Sequence, residues 1–380
     1  MSGPVREAPA GARSQTATAS PRGSGAPAGP TASVVRARPG GNLAVERARR
    51  RRRELRVVLV LAAAVVVVAA LSLAVGAYSL SVADLLRTLT GQGSRSENFI
   101  VFTLRMPRFV LAVLVGVAFS LAGAVFQSVL RNPLASPDII GVTGGASAAA
   151  VFGMLMLGFG GLATSFAAFG GAVVVAAAIY LLAWRGGVVG YRFVLIGVGV
   201  AFMVQGLLAY LLSRADLRDA QDALVWLVGS VSGARWVDIG VVAALLAVLL
   251  PVLWVLSGRL RTLQLGDDTA RSLGVRVESS RLALLALAVA LAAVATAAVG
   301  PLAFVAFVAA PIARRITRTG GLALLPAALV GALITTVADF AAQHLLPGAL
   351  QLPAGIVTGA IGAPYLLWLL ATSNKSGKGA

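Results

Sequence analysis

Very few side chains in this sequence can do bond chemistry. It contains no cysteine and one histidine, His344, which removes disulfides, thiolate nucleophiles and His- or Cys-cluster metal sites. Its two lysines, Lys375 and Lys378, stand in Asn-Lys-Ser and Gly-Lys-Gly contexts, and neither completes a GxxxxGK[ST] phosphate loop. What remains is charge in a few places. Arg105 and Arg108 stand three apart in Arg-Met-Pro-Arg, Arg131 opens the run Arg-Asn-Pro-Leu-Ala-Ser-Pro-Asp, and two carboxylates, Asp138 and Asp339, sit beside apolar stretches. A guanidinium can make charge-assisted, bidentate bonds to a carboxylate or snorkel at a membrane interface. A carboxylate in apolar surroundings can carry a proton in an ion-coupled transporter. Asp339 is also readable as a helix-end group bonded to nearby backbone, the plainer expectation.

The elements holding these residues are apolar helices. The chain has 380 residues, of which 58% are hydrophobic and only 12% charged, against about 25% charged in an average soluble domain. A helix needs about 20 apolar residues to cross a bilayer. Ten candidate spans fall near 57–78, 109–130, 139–158, 162–183, 193–213, 237–257, 281–299, 301–313, 322–342 and 354–371, the eighth short and rich in small residues. Segments 81–90 and 221–230 read as short helices outside the bilayer. The expected class is an all-α polytopic membrane bundle, 57–371, tightened by glycines that permit close helix approach. Residues 1–56, poor in apolar periodicity for most of their length, are expected to form a disordered basic tail, and 372–380 a short C-terminal tail.

The net charge of +18 is unevenly placed. Residues 1–56 hold twelve arginines against three glutamates, a net +9, and the run Arg47, Arg49 to Arg53 and Arg56 stops where the first apolar window begins. Such a run orients a first span with its basic end in the cytoplasm and can touch anionic lipid; its position argues against nucleic-acid binding. The later connections alternate in basic content in a way that puts both termini inside. Between Arg108 and Arg214 the only acidic residue is Asp138, which disfavours proton- or cation-coupled transport and leaves the energy to a partner.

Several motifs carry a family resemblance. The stretch Gly116 to Ser147, GVAFSLAGAVFQSVLRNPLASPDIIGVTGGAS, closely resembles the signature of permeases in iron–siderophore and cobalamin ABC importers. Arg105-Met-Pro-Arg108 just upstream, and Trp226 to Ser230, Leu265 to Val275, Gly300 to Arg314, Leu352 to Gly355 and Gly362 to Pro364 downstream, stand in the family's order. The resemblance covers about 57–371. It implies the type II importer permease fold with ten spans, no enzymatic activity of its own, and no cofactor. It implies ABC ATPase subunits docking on 258–280, through Leu265, Gly266, Asp267, Ala270, Leu273 and Gly274. From spacing alone, that amphipathic segment could equally lie on lipid. A soluble substrate-binding protein, lipid-anchored or periplasmic, is expected on Arg105 and Arg108. The translocation path or gate is expected to involve Asn132, Pro133, Ser136, Pro137, Gly300 and Pro311. The implied role is ATP-driven import of a ferric siderophore across the bacterial cytoplasmic membrane by alternating access, with cobalamin or haem as alternative cargo.

Three positions depart from that pattern. Ile312 follows Pro311 where many members have His, Gln343 stands for Arg, and Gln351 for Glu. The paired loss of an outward Arg and Glu leads us to expect a heterodimer with a second, related permease.

Overall fold

The computed structural model describes residues 43–376 apart from Ile139, 185–189, Thr319 and 345–350. The chain divides into Met1–Val45 and Glu46–Ala380, and the architecture below is that of the second unit. In chain order its helices are α1 (Leu43–Ala74), α2 (Val82–Leu89), α3 (Arg95–Asn98), a π-helical turn (Phe99–Arg105), α4 (Met106–Val129), α5 (Val142–Leu157), α6 (Leu162–Ala183) and α7 (Gly190–Arg214). They continue with α8 (Leu217–Val228), α9 (Trp236–Leu263), α10 (Asp267–Ser272), α11 (Val277–Val299), α12 (Val305–Thr317), α13 (Leu324–His344) and α14 (Ala354–Ser376). No strand occurs among the described residues.

Among the described residues, seven helical stretches are long and apolar enough to span a bilayer, and Val142–Leu157 and Ala354–Leu369 are shorter apolar helices. With α12 they make the ten spans of a polytopic membrane bundle. The most apolar windows of α4 and α11 are each 72% buried, that of α1 only 11%. Thus α4 and α11 form the centre, and α1 turns most of its surface outward. Around α4 pack α13, α11, α12 and α9, while α5 lies between α6 and α7. Backbone contact makes this packing tight: a Cβ on Gly123 would meet the Ala306 carbonyl oxygen at 1.7 Å. A Cβ on Gly116 or Gly331 would fall 2.6 or 2.3 Å from the other's carbonyl oxygen. Lipid supplies no hydrophobic drive between helices, so such close approach provides the dispersion contact that holds them.

Three expectations are corrected. Helix α1 begins at Leu43 rather than near 57, so the expected disordered tail loses its last residues; Leu, Ala, Glu and Arg are strong helix formers, and residues 1–42 lie outside the described residues. The eighth span starts at Val305, not 301. Gly300 closes α11 with φ +75°, Pro301 lacks a donor, and Phe304 caps the next helix in the left-handed region. Segment 258–280 is not one amphipathic helix: α9 ends at Leu263, α10 is six residues, and α11 starts at Val277. Gly266 at φ +113° and Gly274 at φ +80° break it, conformations that favour glycine.

Candidate functional site: an ion pair at each end of one helix

Helix α4 carries Arg108 in its first turn and is followed at its other end by Arg131. Each finds an aspartate. Arg108 Nε lies 2.9 Å from both Asp339 oxygens and Nη2 2.8 Å from Oδ1, with both side chains buried. Its Nη1 donates to Gln351 Oε1 at 2.9 Å, and Gln343 Nε2 donates to Asp339 Oδ2 at 2.9 Å. Asp339 is therefore an ion-pair partner rather than a backbone-bonded helix end. The amides of Gln351 and Gln343 complete its network. Full pairing is what makes a buried charge tolerable in an apolar bundle.

Arg105 is also engaged. Its Nη1 donates to the Leu73 carbonyl at 2.6 Å and Nη2 to the Tyr78 carbonyl at 2.5 Å, tying the end of α1 to the π-helical turn. That turn exposes a carbonyl at Phe102, which accepts the Trp236 indole N–H at 2.8 Å. Neither arginine expected at the docking face extends a free guanidinium: Arg108 is buried and Arg105 half-buried. Both line a cavity of about 370 Å³ with Tyr78, Ser232, Asp339 and Gln351.

At the other end of α4 the chain turns sharply. Arg131 takes φ +49°, and Asn132 Oδ1 accepts the Leu134 N–H at 2.9 Å, an Asx turn that lets Pro133 follow. Ser136 and Pro137 are buried, whereas Pro133 is exposed. From this turn Arg131 Nη2 reaches the Leu263 carbonyl at 2.7 Å and Asp267 Oδ1 at 2.6 Å. Arg281 of α11 donates to Asp267 Oδ2 at 2.9 Å and to Glu278 at 3.0 Å. One carboxylate at the first residue of α10 thus binds the turn after α4 and the start of α11. Burial raises the Asp267 pKa, but hydrogen bonds and charge from Arg281 and Arg131 outweigh it and hold the carboxyl below its ordinary value.

Helix α10 rests on buried Ala270 and exposes Leu265 and Leu273 by 64% and 62%. Two apolar side chains flank a short charged helix anchored from beneath, a pattern that can lie on lipid or enter a groove on another protein. Of the expected coupling residues, Asp267 is ion-paired to the bundle and Ala270 is buried, while Leu265 and Leu273 are exposed. Gly266 and Gly274 supply the turns.

The expected path residues do not form one cluster. Gly300 lies at the far end of α11 from Arg281, and α11's 23 residues span roughly 34 Å at 1.5 Å per residue. There the ends of α8 and α11 and the start of α14 meet: Ser230 N–H donates to Val299 at 2.8 Å and Gly355 N–H to Gly229 at 3.1 Å. A Cβ on Gly300 would sit 2.4 Å from the Trp226 carbonyl oxygen. Pro311 lies inside α12. One polar residue not anticipated is Gln127, buried in α4, whose Nε2 donates to the Phe307 carbonyl at 2.9 Å while Oε1 accepts from Arg314. Its signal was a lone amide in the apolar run 109–130.

The FecCD transport family matches residues 64–372. The ferric enterobactin transport system permease protein FepG of Escherichia coli (strain K12) is 40% identical over 303 residues, covering 80% of this chain and 92% of that protein. The achromobactin transport system permease protein CbrC of Dickeya dadantii (strain 3937) is 44% identical over 304 residues, covering 79% and 86%. The iron(3+)-hydroxamate import system permease protein FhuG of Bacillus subtilis (strain 168) is 35% identical over 313 residues, covering 80% and 93%. A solved inward-facing structure described as a metal-chelate type ABC transporter aligns with TM-score 0.73 and 26% identity, over 83% of this chain and 99% of that one. The chain is a transport permease, a multi-pass membrane protein belonging to the FecCD transport family.

Proposed function

We propose that this permease imports a ferric siderophore by alternating access, with two ATPase subunits supplying the energy and a binding protein delivering the cargo. The observation that carries the reading is the Asp267 cluster. An ATPase pressing on Leu265 and Leu273 moves α10, and Asp267 passes the displacement to Arg131 and Arg281, hence to the turn Asn132–Pro137 and the core helix α11. Named relatives that carry ferric enterobactin, achromobactin and iron(3+)-hydroxamate support the cargo class. The Asp267 end is assigned to the cytoplasm because the basic residues Arg259, Arg261, Arg271, Arg276 and Arg281 collect there.

At the opposite end, the binding protein is proposed to seat over the cavity framed by Arg105 and Arg108. Arg105 supplies the half-exposed guanidinium edge, and the Arg108–Asp339 pair fixes the surface beneath it. Since Gln343 and Gln351 add no charge at this face, the other half of the binding contact is assigned to a second, different permease. A proton-coupled mechanism is disfavoured, because Asp339 is held by a guanidinium.

Radiolabelled iron uptake, offered as several siderophore chelates to a strain deleted for this chain, tests the cargo. Loss of one chelate class, restored by the intact gene and not by Asp267→Ala, is the expected result. Unchanged uptake of every iron chelate overturns it and shifts the test to cobalamin and haem. Isolation of the complex with two copies of this chain and no second permease overturns the heterodimer.

A further inference from the structure

The basic run ahead of the first span does not simply end in water. Arg53 Nη2 donates to the Ile316 carbonyl at 3.3 Å, laying the start of the apolar part of α1 against the last turn of α12. Val57 and Leu61 pack there on Ala309, Ala310 and Ala313. Beside this seam lies an open groove of about 510 Å³ lined by Arg53, Arg56, Val57, Val60, Leu61 and Ile316. Arg56 is exposed and makes no hydrogen bond or ion pair among the described residues, while Arg53 keeps its other donors available.

The groove has two chemistries in a fixed order. Guanidiniums occupy the end from which the basic run comes. The apolar wall continues along α1 into a face whose side chains are bare, with Val60 exposed by 68% and Val66 by 67%. Such a face in a membrane protein meets hydrocarbon, so the junction at Arg56 and Val57 lies at headgroup depth. A free phosphate would use the arginines and leave the apolar wall unfilled. An acidic protein segment would have to enter the acyl region to cover Val60. A molecule with an anionic head and an apolar tail satisfies both.

We infer that this groove between α1 and α12 is an anionic phospholipid site, in which Arg53 and Arg56 hold the headgroup phosphate and Val57, Val60 and Leu61 hold the first part of an acyl chain. The occupant joins a weakly packed peripheral helix to α12, so binding favours the docked position of α1. The site is independent of the transporter's cargo.

The test uses the intact complex in nanodiscs of phosphatidylcholine with a minor share of phosphatidylglycerol, followed by native mass spectrometry of the lipids retained. Phosphatidylglycerol is expected to be enriched on the wild type. Arg53→Gln/Arg56→Gln is expected to weaken its retention by about twenty-five-fold, at roughly a factor of five per basic residue near the surface. Arg47→Gln/Arg49→Gln removes the same charge outside the groove and is expected to change retention little. Equal loss in the two double variants, or no enrichment on the wild type, overturns the site. Displacement of the lipid by millimolar inorganic phosphate would show a simple phosphate site and also overturns it. A second readout is free of the arginine variants. The chain has no cysteine, so Val60→Cys carries a single fluorophore, which brominated phosphatidylglycerol should quench several-fold more than brominated phosphatidylcholine. Equal quenching by the two lipids overturns the proposal.

Discussion

Arg108 holds Asp339 by the side of its guanidinium, with Nε and Nη2 both within 2.9 Å of Oδ1, across a sequence separation of 231 residues. The pair is buried where α4 and α13 are also joined by the Thr335 hydroxyl, which donates to the Ala112 carbonyl at 2.7 Å. Removing one partner leaves a charge unpaired among apolar helices, which costs about 3–5 kcal/mol. Arg108→Ala and Asp339→Ala are therefore each expected to lower the melting temperature in detergent sharply. The double variant Arg108→Met/Asp339→Leu should recover most of the loss, as the coupling in a double-mutant cycle will show.

A different outcome is expected at Asp267, which lies nearer water. Asp267→Asn should leave the permease folded and bound to its ATPase, while uptake per ATP hydrolysed falls about tenfold, the size of a coupling near 1.4 kcal/mol. Vesicles loaded with ATP and complex of known stoichiometry measure both quantities at once.

The same carboxylate sets a pH dependence. Its pKa is lowered in the folded protein, so its stabilising pairs are fully present above the ordinary carboxylate value of about 4 and are lost as pH falls through the lowered one. Melting curves of the wild type and Asp267→Asn should differ at pH 5–8 and converge as the pH falls below the ordinary carboxylate value and through the lowered one.

Asp138 behaves in the opposite sense. In the turn before α5 its Oδ2 is buried without a hydrogen-bond partner among the described residues. Burial pushes this carboxyl up to about 6 against the hydrogen bond from Thr143. Ionisation in the folded state is penalised, and the penalty grows as pH rises from about 4 towards 6. Asp138→Asn should thus raise the melting temperature at pH 7.5, with the gain vanishing near pH 4.

Backbone contact at Gly123 leaves no room for a methyl group. Gly123→Ala is expected to cost about 1–3 kcal/mol or more through displacement of α12 and to cut the yield of folded protein. Gly199→Ala, where a Cβ meets nothing within 4 Å, serves as the control and should leave yield unchanged. Size-exclusion profiles after membrane extraction decide it.

Much of this molecule was readable from hydropathy because a bilayer imposes length and apolarity on each span. The spans near 162–183 and 281–299 coincide with α6 and most of α11 for that reason. Pattern failed where apolar character ran across a break in backbone. Leu302 is fully buried yet belongs to no helix, so the run from Gly300 gave no sign that α12 starts at Val305. Pairing was illegible for another reason. Arg131 and Asp267 are 136 residues apart, and nothing in composition says which of many arginines a turn will aim at an aspartate. Arg105 and Arg108 stood out in the sequence, but their partners did not: two backbone carbonyls, one carboxylate and one amide inside the chain, all set by tertiary placement alone.

The two arginines that bracket α4 give that helix a rotational phase as well as a position. Each residue of an α-helix advances about 100°, so inserting or deleting one residue between Arg108 and Arg131 would twist one guanidinium far from its aspartate while the other stayed home. Helix α4 behaves like a shaft keyed at both ends. Under the proposed coupling, torque applied through Asp267 at one end reappears at Asp339 as rotation of the whole shaft, or shears one of the keys.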